Sequence, residues 1–326
     1  MTRLSQVGLP QFLAILALLA GAAVALPGIA NPGIVFLAGL AVIEIVIALA
    51  FNFLFSTVGI LSFGQAAFIL VGAYGGAAAI KFAGLSLLPA LLVAGLVAGL
   101  LALAIGVVAL RRVEGVYFAV LTLAFASLAY LTVGKVAVLG REDGLTGITR
   151  PAVDLGIVEI PVVATTSFYY FIVAVGVVLT AVMWFATNSQ FGRVLRAIRQ
   201  DQERAGFLGV NVQGYRLAAF VLAGAVTGIA GALLGPWTQI VTPDLGHWIQ
   251  STKPILQAML GGAGFFWGPV VGAILFAVLT YATRTLVGIT EIVTGGLLLA
   301  IVLAIPGGLL GLTGSLLRMI RRERSR

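Results

Sequence analysis

The chain has 326 residues, of which 61% are hydrophobic and only 9% charged, and it carries a formal net charge of +8. Soluble domains contain about 25% charged residues, so this composition excludes a water-soluble globular protein and indicates an integral membrane protein. Because a helix needs about 20 apolar residues to cross the hydrocarbon core, the length allows about eight to ten membrane spans and their loops.

The residue types also exclude several kinds of active site. With no cysteine, the chain cannot form a disulfide, a thiolate metal site or a cysteine nucleophile. His247 is the only histidine, which excludes a multi-histidine metal site. None of the three lysines completes a GxxxxGK[ST] loop. We therefore expect no metal and no cofactor on this chain, so energy for active transport would come from an ion gradient or another subunit.

Apolar runs predict five spans in the first part of the chain. The first could also be a signal peptide, but a retained span is favoured because the rest of the chain is polytopic. The third is interrupted by glycines, and the fourth ends at Arg111 and Arg112. The five predicted spans cover about residues 12–26, 33–55, 58–80, 86–110 and 116–134.

A mixed polar loop, 135–165, separates these spans from the second part of the chain. A sixth span leads into a basic stretch, and four apolar runs follow, the first two of which flank a loop. These predicted spans cover about residues 167–187, 215–235, 252–264, 268–287 and 291–311. The sequence thus predicts a single transmembrane domain over 1–326, an all-α polytopic membrane protein of about ten transmembrane segments that include short broken helices.

The distribution of Lys and Arg predicts the orientation of the chain. With ten crossings and both termini in the cytoplasm, thirteen of the 19 basic residues fall inside and six outside. This is the bias that the positive-inside rule expects. The net positive charge is therefore a topology signal, and no nucleic-acid partner is expected.

The stretch 191–209, FGRVLRAIRQDQERAGFLG, is the only long internal run that lipid would reject. Val194, Leu195 and Ile198 follow helical spacing, which predicts a short amphipathic helix. Its arginines place it on the cytoplasmic face. At this point two interpretations stay open: a solvated connector between two spans, or a docking handle for a cytoplasmic partner.

Two apolar stretches, 58–76 and 254–272, share an unusual pattern. Each is short, broken by glycine, and contains one glutamine, Gln65 or Gln257. By the predicted topology they cross in opposite directions, and such a pair indicates an inverted repeat with a solute pathway between its halves. The two repeats would cover roughly 33–134 and 215–311. Alternatively, the glycines serve only close helix packing.

Side chains in the two broken segments could contact a solute. Serine and glutamine offer hydrogen bonds without burying a charge, and aromatic rings would form an apolar wall. The predicted pathway residues are Ser62, Phe63, Gly64, Gln65, Phe68, Tyr74, Gln257, Gly261, Gly262 and Phe265. Glu44, an isolated carboxylate in the second span, is either a hydrogen-bonded structural acid or a proton carrier, and we favour the first.

Five stretches of the sequence are similar to one known family. They are GILSFGQAAFILVGAY (59–74), YFAVLTLAFASLAY (117–130), DGLTGITRP (143–151), a block at 196–233 that begins RAIRQDQERAGFLG, and MLGGAGFFWGPVVGA (259–273). Their order and spread resemble the LivM-type permease subunits of ATP-binding-cassette (ABC) importers for branched-chain amino acids, including relatives that serve amides and urea.

This resemblance implies a subunit of a bacterial-type inner (plasma) membrane that pairs with a second, similar permease and two cytoplasmic ATPases. Those ATPases would bind the ATP and Mg²⁺, and a periplasmic solute-binding protein would deliver the solute. Segment 188–212 would couple the chain to an ATPase. The implied coupling residues are Arg193, Arg196, Arg199, Asp201, Glu203, Arg204, Ala205 and Gly209.

The sequence departs from the family pattern at two places. Gly206 and Phe207 stand where a plainer helix former is commoner, and Lys253 with Pro254 replaces the usual acidic, helix-favouring start of the eighth segment. A stand-alone secondary transporter or channel is the alternative function, but it would need intramembrane ion ligands, for which Glu44 is the only candidate. An intramembrane enzyme is disfavoured because the sequence has no metal-ligand cluster and no repeated acid pair.

Overall fold

The computed structural model describes residues 8–113, 115–154, 159–160, 162–283, 295–296, 299 and 307–311. Helices make up most of these residues. In chain order they are α1 (Leu9–Ala25), α2 (Pro32–Asn52), α3 (Gln65–Lys81), α4 (Leu87–Arg112), α5 (Val116–Val133), α6 (Thr165–Asn188), α7 (Gln190–Gln200), α8 (Gln202–Phe207), α9 (Val212–Ala232), α10 (Leu234–Thr238), α11 (Trp248–Gly261) and α12 (Gly268–Thr283).

Among the described residues, six helical stretches are long and apolar enough to cross a membrane. They comprise α1 with the turn after it, α2 with a π-helix after it, α4, α5, α6, and α9 with α10, while α3 and α12 are shorter apolar helices. The structure therefore confirms an all-α polytopic membrane protein. Most of the last predicted span, 291–311, and residues 284–287 of the ninth lie outside the described residues, and the inverted repeat stays a prediction.

The third predicted span differs most from expectation. Residues Phe53–Val58 form a π-helix that continues α2, residues 59–64 are not helical, and α3 begins only at Gln65. Gly59 has a left-handed φ of 81°, a conformation that ends helices and favours glycine. The first part of this segment is therefore a backbone break and not the start of a helix.

The eighth segment also differs, because α11 begins at Trp248 and continues through Pro254. A proline inside a helix removes one backbone hydrogen bond. Helix α11 tolerates it at its second turn and ends seven residues later at Gly261, next to Gly262 with φ of 108°. The glycines, and not the proline, therefore determine where α11 ends and the chain turns into α12.

Small residues bring α3, α4 and α9 into close contact. A Cβ at Gly72 would collide with the backbone of Gly228, and a Cβ at Gly224 would lie 2.6 Å from the Cβ of Ala102. Close backbone approach of this kind is how helices associate in lipid, where no hydrophobic effect drives them together. For Gly72, the interpretation as a packing glycine is confirmed.

At the end of the helix bundle opposite the basic stretch, the loops before α6 and after α10 contain short strands. Strand β1 (Leu145–Thr146) pairs antiparallel with β4 (Ile240–Val241), and β2 (Val153–Asp154) pairs antiparallel with β3 (Glu159–Ile160). The first pairing ties the loop after α5 to the loop after α10. It closes this end of the helix bundle.

Candidate functional site

The basic stretch folds into two short helices, α7 and α8, which meet at Asp201, where the helical spacing predicts one short amphipathic helix. The Ser189 hydroxyl accepts a hydrogen bond from the Gly192 amide at 3.5 Å and caps α7. Leu195 and Ile198 are buried against the membrane helices. Phe191 stacks between Phe53 of the π-helix and Tyr215 of α9. The apolar face of α7 thus lies flat on the end of the bundle.

Two arginines of α7 bond to the chain's own backbone. Arg196 donates to the carbonyl of Thr187 at 2.6 Å and so satisfies one of the last carbonyls of α6. Partial burial, together with repulsion from Arg193, lowers the pKa of Arg196 below its usual value. Arg199 donates to the carbonyl of Ser56 in the π-helix. These two predicted coupling residues hold α7 to the bundle.

Helix α8 is the most exposed part of the predicted coupling segment. The Asp201 carboxylate caps it by accepting from the Arg204 amide at 2.9 Å, and the two side chains form an exposed ion pair at 3.5 Å. Only Ala205 is buried, whereas Phe207 is 92% and Leu208 is 80% exposed. A polar helix pair thus ends in two apolar side chains that face away from the bundle.

The remaining predicted coupling residues are also on this surface. Arg193, Glu203, Arg204 and Gly209 are exposed, and Gly209 has a left-handed φ of 83° where the chain leaves α8 for α9. The structure therefore divides the predicted coupling residues into two groups. Arg196 and Arg199 bond to the bundle, although Arg199 is itself exposed, and Ala205 is buried, while the others are exposed and make no such bond among the described residues.

The first backbone break, 59–64, is held by two hydroxyl groups from other helices. The Phe63 amide donates to Thr122 Oγ1 of α5 at 3.1 Å. Ser251 Oγ of α11 donates to the Phe63 carbonyl at 2.6 Å and accepts from the Ala66 amide at 2.9 Å. Non-helical backbone at membrane depth needs such partners, because lipid supplies none.

Two of the predicted polar pathway residues are buried beside this break. Ser62 Oγ accepts from the Gly64 amide at 3.1 Å. Gln65 Oε1 accepts from Thr227 Oγ1 of α9 at 3.0 Å, while Gln65 Nε2 has no hydrogen-bond partner among the described residues. One amide group at the start of α3 is thus still able to donate.

The second break lies at the turn between α11 and α12. A Cβ at Gly261 would collide with the carbonyl of Gly268, and a Cβ at Gly272 would collide with the carbonyl of Gln257. The two helices are therefore in backbone contact. The Phe265 carbonyl in the turn accepts from Asn52 Nδ2 of α2 at 3.4 Å, which fixes the turn to the first part of the chain.

Glu44 belongs to the same region. Gln257 Nε2 donates to the Glu44 carboxylate at 2.9 Å, and Lys253, one turn earlier on α11, interacts with that carboxylate electrostatically. Because α2 and α11 are joined by this bond, Glu44 faces the interior of the bundle. This arrangement fits a hydrogen-bonded structural acid.

The two broken segments meet, but not all predicted pathway residues lie between them. Ser251 brings the segment that holds Ser62, Phe63, Gly64 and Gln65 to α11. Gln257 and Phe265 bond to α2, and Gly261 and Gly262 lie at the turn between α11 and α12. Phe68 packs edge-on against Phe220 of α9 at 5.5 Å, and Tyr74 is buried in a small cluster farther along α3. Phe63 and Phe265 are the partly exposed aromatic residues of the set.

The residues that bond to the first break and to Gln65 are hard to recognise in the sequence. Thr122, Thr227 and Ser251 are small polar residues in apolar helices, which is by itself a weak signal. A broken backbone in a membrane needs hydrogen-bond partners, and this need could have pointed to them. The sequence pattern does not indicate the structural role of Arg150 either. It donates to the carbonyls of Pro236, at 3.0 Å, and of Trp237, at 3.3 Å.

Comparison with known proteins gives one family. The family model for the permease component of branched-chain amino acid transport systems matches residues 33–305. The chain is 28% identical to the high-affinity branched-chain amino acid transport system permease protein LivM of Escherichia coli (strain K12), over 91% of this chain and 74% of that protein.

Two LivH proteins are also similar. The chain is 25% identical to the probable branched-chain amino acid transport permease protein LivH of Methanocaldococcus jannaschii, over 82% of this chain and 88% of that one. It is 29% identical to LivH of Salmonella typhimurium over 41% of this chain and 44% of the relative. No solved structure matches the chain.

Proposed function

Because the chain belongs to the family of permease components of branched-chain amino acid transport systems, we propose that it carries a branched-chain amino acid or a related small amphipathic solute as half of an ABC importer's pathway. It is a transport permease and not an enzyme. Its relatives are transport-system components, which favours this function over a stand-alone secondary transporter or channel.

The exposed end of α8 carries this proposal. Phe207 and Leu208 are large apolar side chains that are 92% and 80% exposed at the end of an otherwise polar helix pair. On the predicted cytoplasmic side these residues face water, and burying them against a partner would remove apolar surface from water. A solvated connector has no need of them, so a docked ATPase is the better explanation.

The anchoring of α7 supports the same proposal. Arg196 and Arg199 fix α7 to α6 and to the π-helix, and Leu195 and Ile198 are buried. A force applied at α8 is therefore passed to the membrane helices and not absorbed by a loose loop. This is the mechanical property that a coupling segment requires.

The proposed assembly contains a second permease, two cytoplasmic ATPases that bind ATP and Mg²⁺, and a periplasmic solute-binding protein. The chain would lie in the inner membrane with both termini in the cytoplasm. The solute would pass near the two breaks, where Phe63 and Phe265 are partly exposed and Gln65 Nε2 can still donate. These polar and aromatic groups suit an amphipathic solute, because each can contact one part of it.

A cross-linking experiment tests the docking of the ATPase. The chain has no cysteine, so a single cysteine in place of Phe207 gives a clean attachment point. In membranes that hold the whole transporter, F207C should capture the ATPase. Val163, which is 71% exposed in the loop at the other end of α6, provides the control V163C, which should capture none. Equal capture at both positions, or free labelling of F207C with no capture, would contradict the proposal.

A further inference from the structure

We propose that Arg199 is a positioning residue that transmits movement of α7 to the first backbone break through the carbonyl of Ser56. The inference rests on the proposed function, because a docked ATPase is what would move α7. Arg199 and Ser56 are 143 residues apart in the sequence and joined by a hydrogen bond from the guanidinium to the carbonyl. The contact links the coupling segment directly to the π-helix.

The π-helix is an unusual place for this contact. A π-helix is rare, usually consists of a single turn, and is frequent at functional sites. Here it covers Phe53–Val58, and the Ser56 hydroxyl donates to the carbonyl of Asn52 at 2.7 Å. Because Ser56 lies in the last turn of this helix, its carbonyl has no donor from within the helix, and Arg199 donates to it.

Gly59 makes room for the arginine. It ends the π-helix with a φ of 81°, and a Cβ at this position would lie 2.8 Å from Cγ of Arg199. Any side chain at residue 59 would therefore both strain the backbone and push the stem of Arg199 aside. The glycine and the arginine fit together at the point where the break begins.

The far end of the break is held by other helices. Phe63 is bonded through its amide to Thr122 of α5 and through its carbonyl to Ser251 of α11. Residues 59–64 therefore run between one anchor that belongs to α7 and two that do not. A shift of α7 would move Ser56 and Gly59 relative to Phe63, and the conformation of the break would have to change.

The other bonded arginine of α7 does not make such a link. Arg196 bonds to Thr187, which lies nine residues earlier on the adjoining helix α6. It fixes α7 to its own neighbour in the sequence. Of these two arginines, only Arg199 connects the coupling segment to the first part of the chain.

A labelling experiment tests this role. Leu61 is partly exposed within the break, so L61C reports the conformation of the break by its rate of reaction with a thiol reagent. In the whole transporter, this rate should change when ATP is added. R199A should abolish the change and reduce uptake per ATP hydrolysed by about tenfold or more, as expected when a hydrogen bond from a charged donor is lost. R199K keeps a hydrogen-bond donor, so it should restore much of the ATP-dependent labelling change and much of the uptake per ATP hydrolysed.

Two controls separate this inference from the proposed function. R112A removes an exposed arginine at the end of α4 and should leave the ATP-dependent labelling of L61C as it is. Capture of the ATPase by F207C should persist in R199A. If F207C captures no ATPase in the unmodified chain, the proposed function fails. If the ATPase is captured and R199A keeps the ATP-dependent labelling change, the role of Arg199 alone is refuted.

A double-mutant cycle, with uptake expressed per inserted transporter so that poor insertion of R199A is corrected for, tests the contact between Gly59 and Arg199 separately. G59A should lower uptake because it strains the backbone and displaces Arg199, and its effect should be smaller in the R199A background, where no arginine stem is left to displace. Residues in contact show such non-additivity, whereas independent sites do not. Strictly multiplicative effects of G59A and R199A on uptake would contradict the proposal.

Discussion

Ser251 on α11 bonds to two backbone groups where the first break joins α3: its hydroxyl donates to the Phe63 carbonyl at 2.6 Å and accepts from the Ala66 amide at 2.9 Å. Ser251 and Phe63 lie almost 190 residues apart in the sequence, so one side chain joins the first broken segment to α11, the helix that leads into the second. The hydroxyl supplies both partners that the broken backbone would otherwise lack in lipid.

We predict that S251A destabilises the protein by about 1–3 kcal/mol, because it leaves a buried carbonyl and a buried amide without partners. The measurement is the midpoint of thermal unfolding of the purified protein in detergent. T252A is the matched control, because Thr252 is the next residue and bonds only within its own turn, to the Ile249 carbonyl. An S251A midpoint no lower than that of T252A would contradict the prediction.

A second prediction concerns the contact between α3 and α9. G72A should destabilise the protein by about 1–3 kcal/mol, because the added methyl group collides with the backbone of Gly228 and overpacks the core. G75A, three residues later on the same helix, is the control: its methyl group would meet Ala94 at an ordinary 3.8 Å. Thermal unfolding in detergent should separate the two variants. Equal midpoints would show that α3 and α9 can move apart without cost.

The fold class follows from the sequence because lipid imposes one simple rule: each span must be apolar and satisfy its own backbone. That rule predicts α4 and α5 to within about two residues at each end. It fails at the third span, where Gly59 and the hydroxyls of Thr122 and Ser251 allow a broken backbone. Hydropathy cannot reveal such a break, because the partners come from distant helices.

The coupling segment was partly predictable for a similar reason. The spacing of Leu195 and Ile198 predicts an amphipathic helix, and both are buried in α7. Which arginines bond to the bundle was not predictable, because Arg196 and Arg199 bond to backbone carbonyls that carry no side-chain signal in the sequence. A basic residue that caps a helix looks the same in a sequence as one that binds a partner.

A third prediction concerns Arg150 in the loop after α5. Its guanidinium donates to the carbonyls of Pro236 and Trp237 and lies 5.4 Å from the ring centre of Phe168. Burial lowers its pKa below the usual value, but an arginine starts so high that it stays charged at neutral pH. The contacts therefore persist across the physiological range.

R150K should destabilise the protein by about 1–3 kcal/mol, because the compact ammonium of lysine lacks the planar fork that reaches these separate carbonyls and cannot stack on the rings. Thermal unfolding at pH 6 and pH 8 should give the same loss at both values. K135A, which removes an exposed charge from the same loop, is the control and should leave the midpoint unchanged. A loss that disappears at pH 8 would show that something other than Arg150 titrates here.

The last prediction concerns the solute pathway near the breaks. Bulky replacements at Gly64 or Gly262 are poor tests of it, because a Cβ at Gly64 would already lie 3.3 Å from Ser62 and Thr122, and Gly262 has a φ of 108°. Either change would disturb the fold whether or not a solute passes. Phe63 is a better target, because its backbone holds the break while its side chain is partly exposed.

F63A keeps the backbone bonds to Thr122 and Ser251, so the chain should insert and assemble as before. If the ring forms part of the pathway wall, uptake by the whole transporter should fall by about tenfold, the effect of about 1.4 kcal/mol of lost transition-state contact. F82A, which removes an exposed ring at the far end of α3, is the matched control and should leave uptake unchanged. Initial rates of uptake of a radiolabelled branched-chain amino acid provide the measurement. Uptake at the normal rate in F63A, with normal assembly, would place the pathway away from the first break.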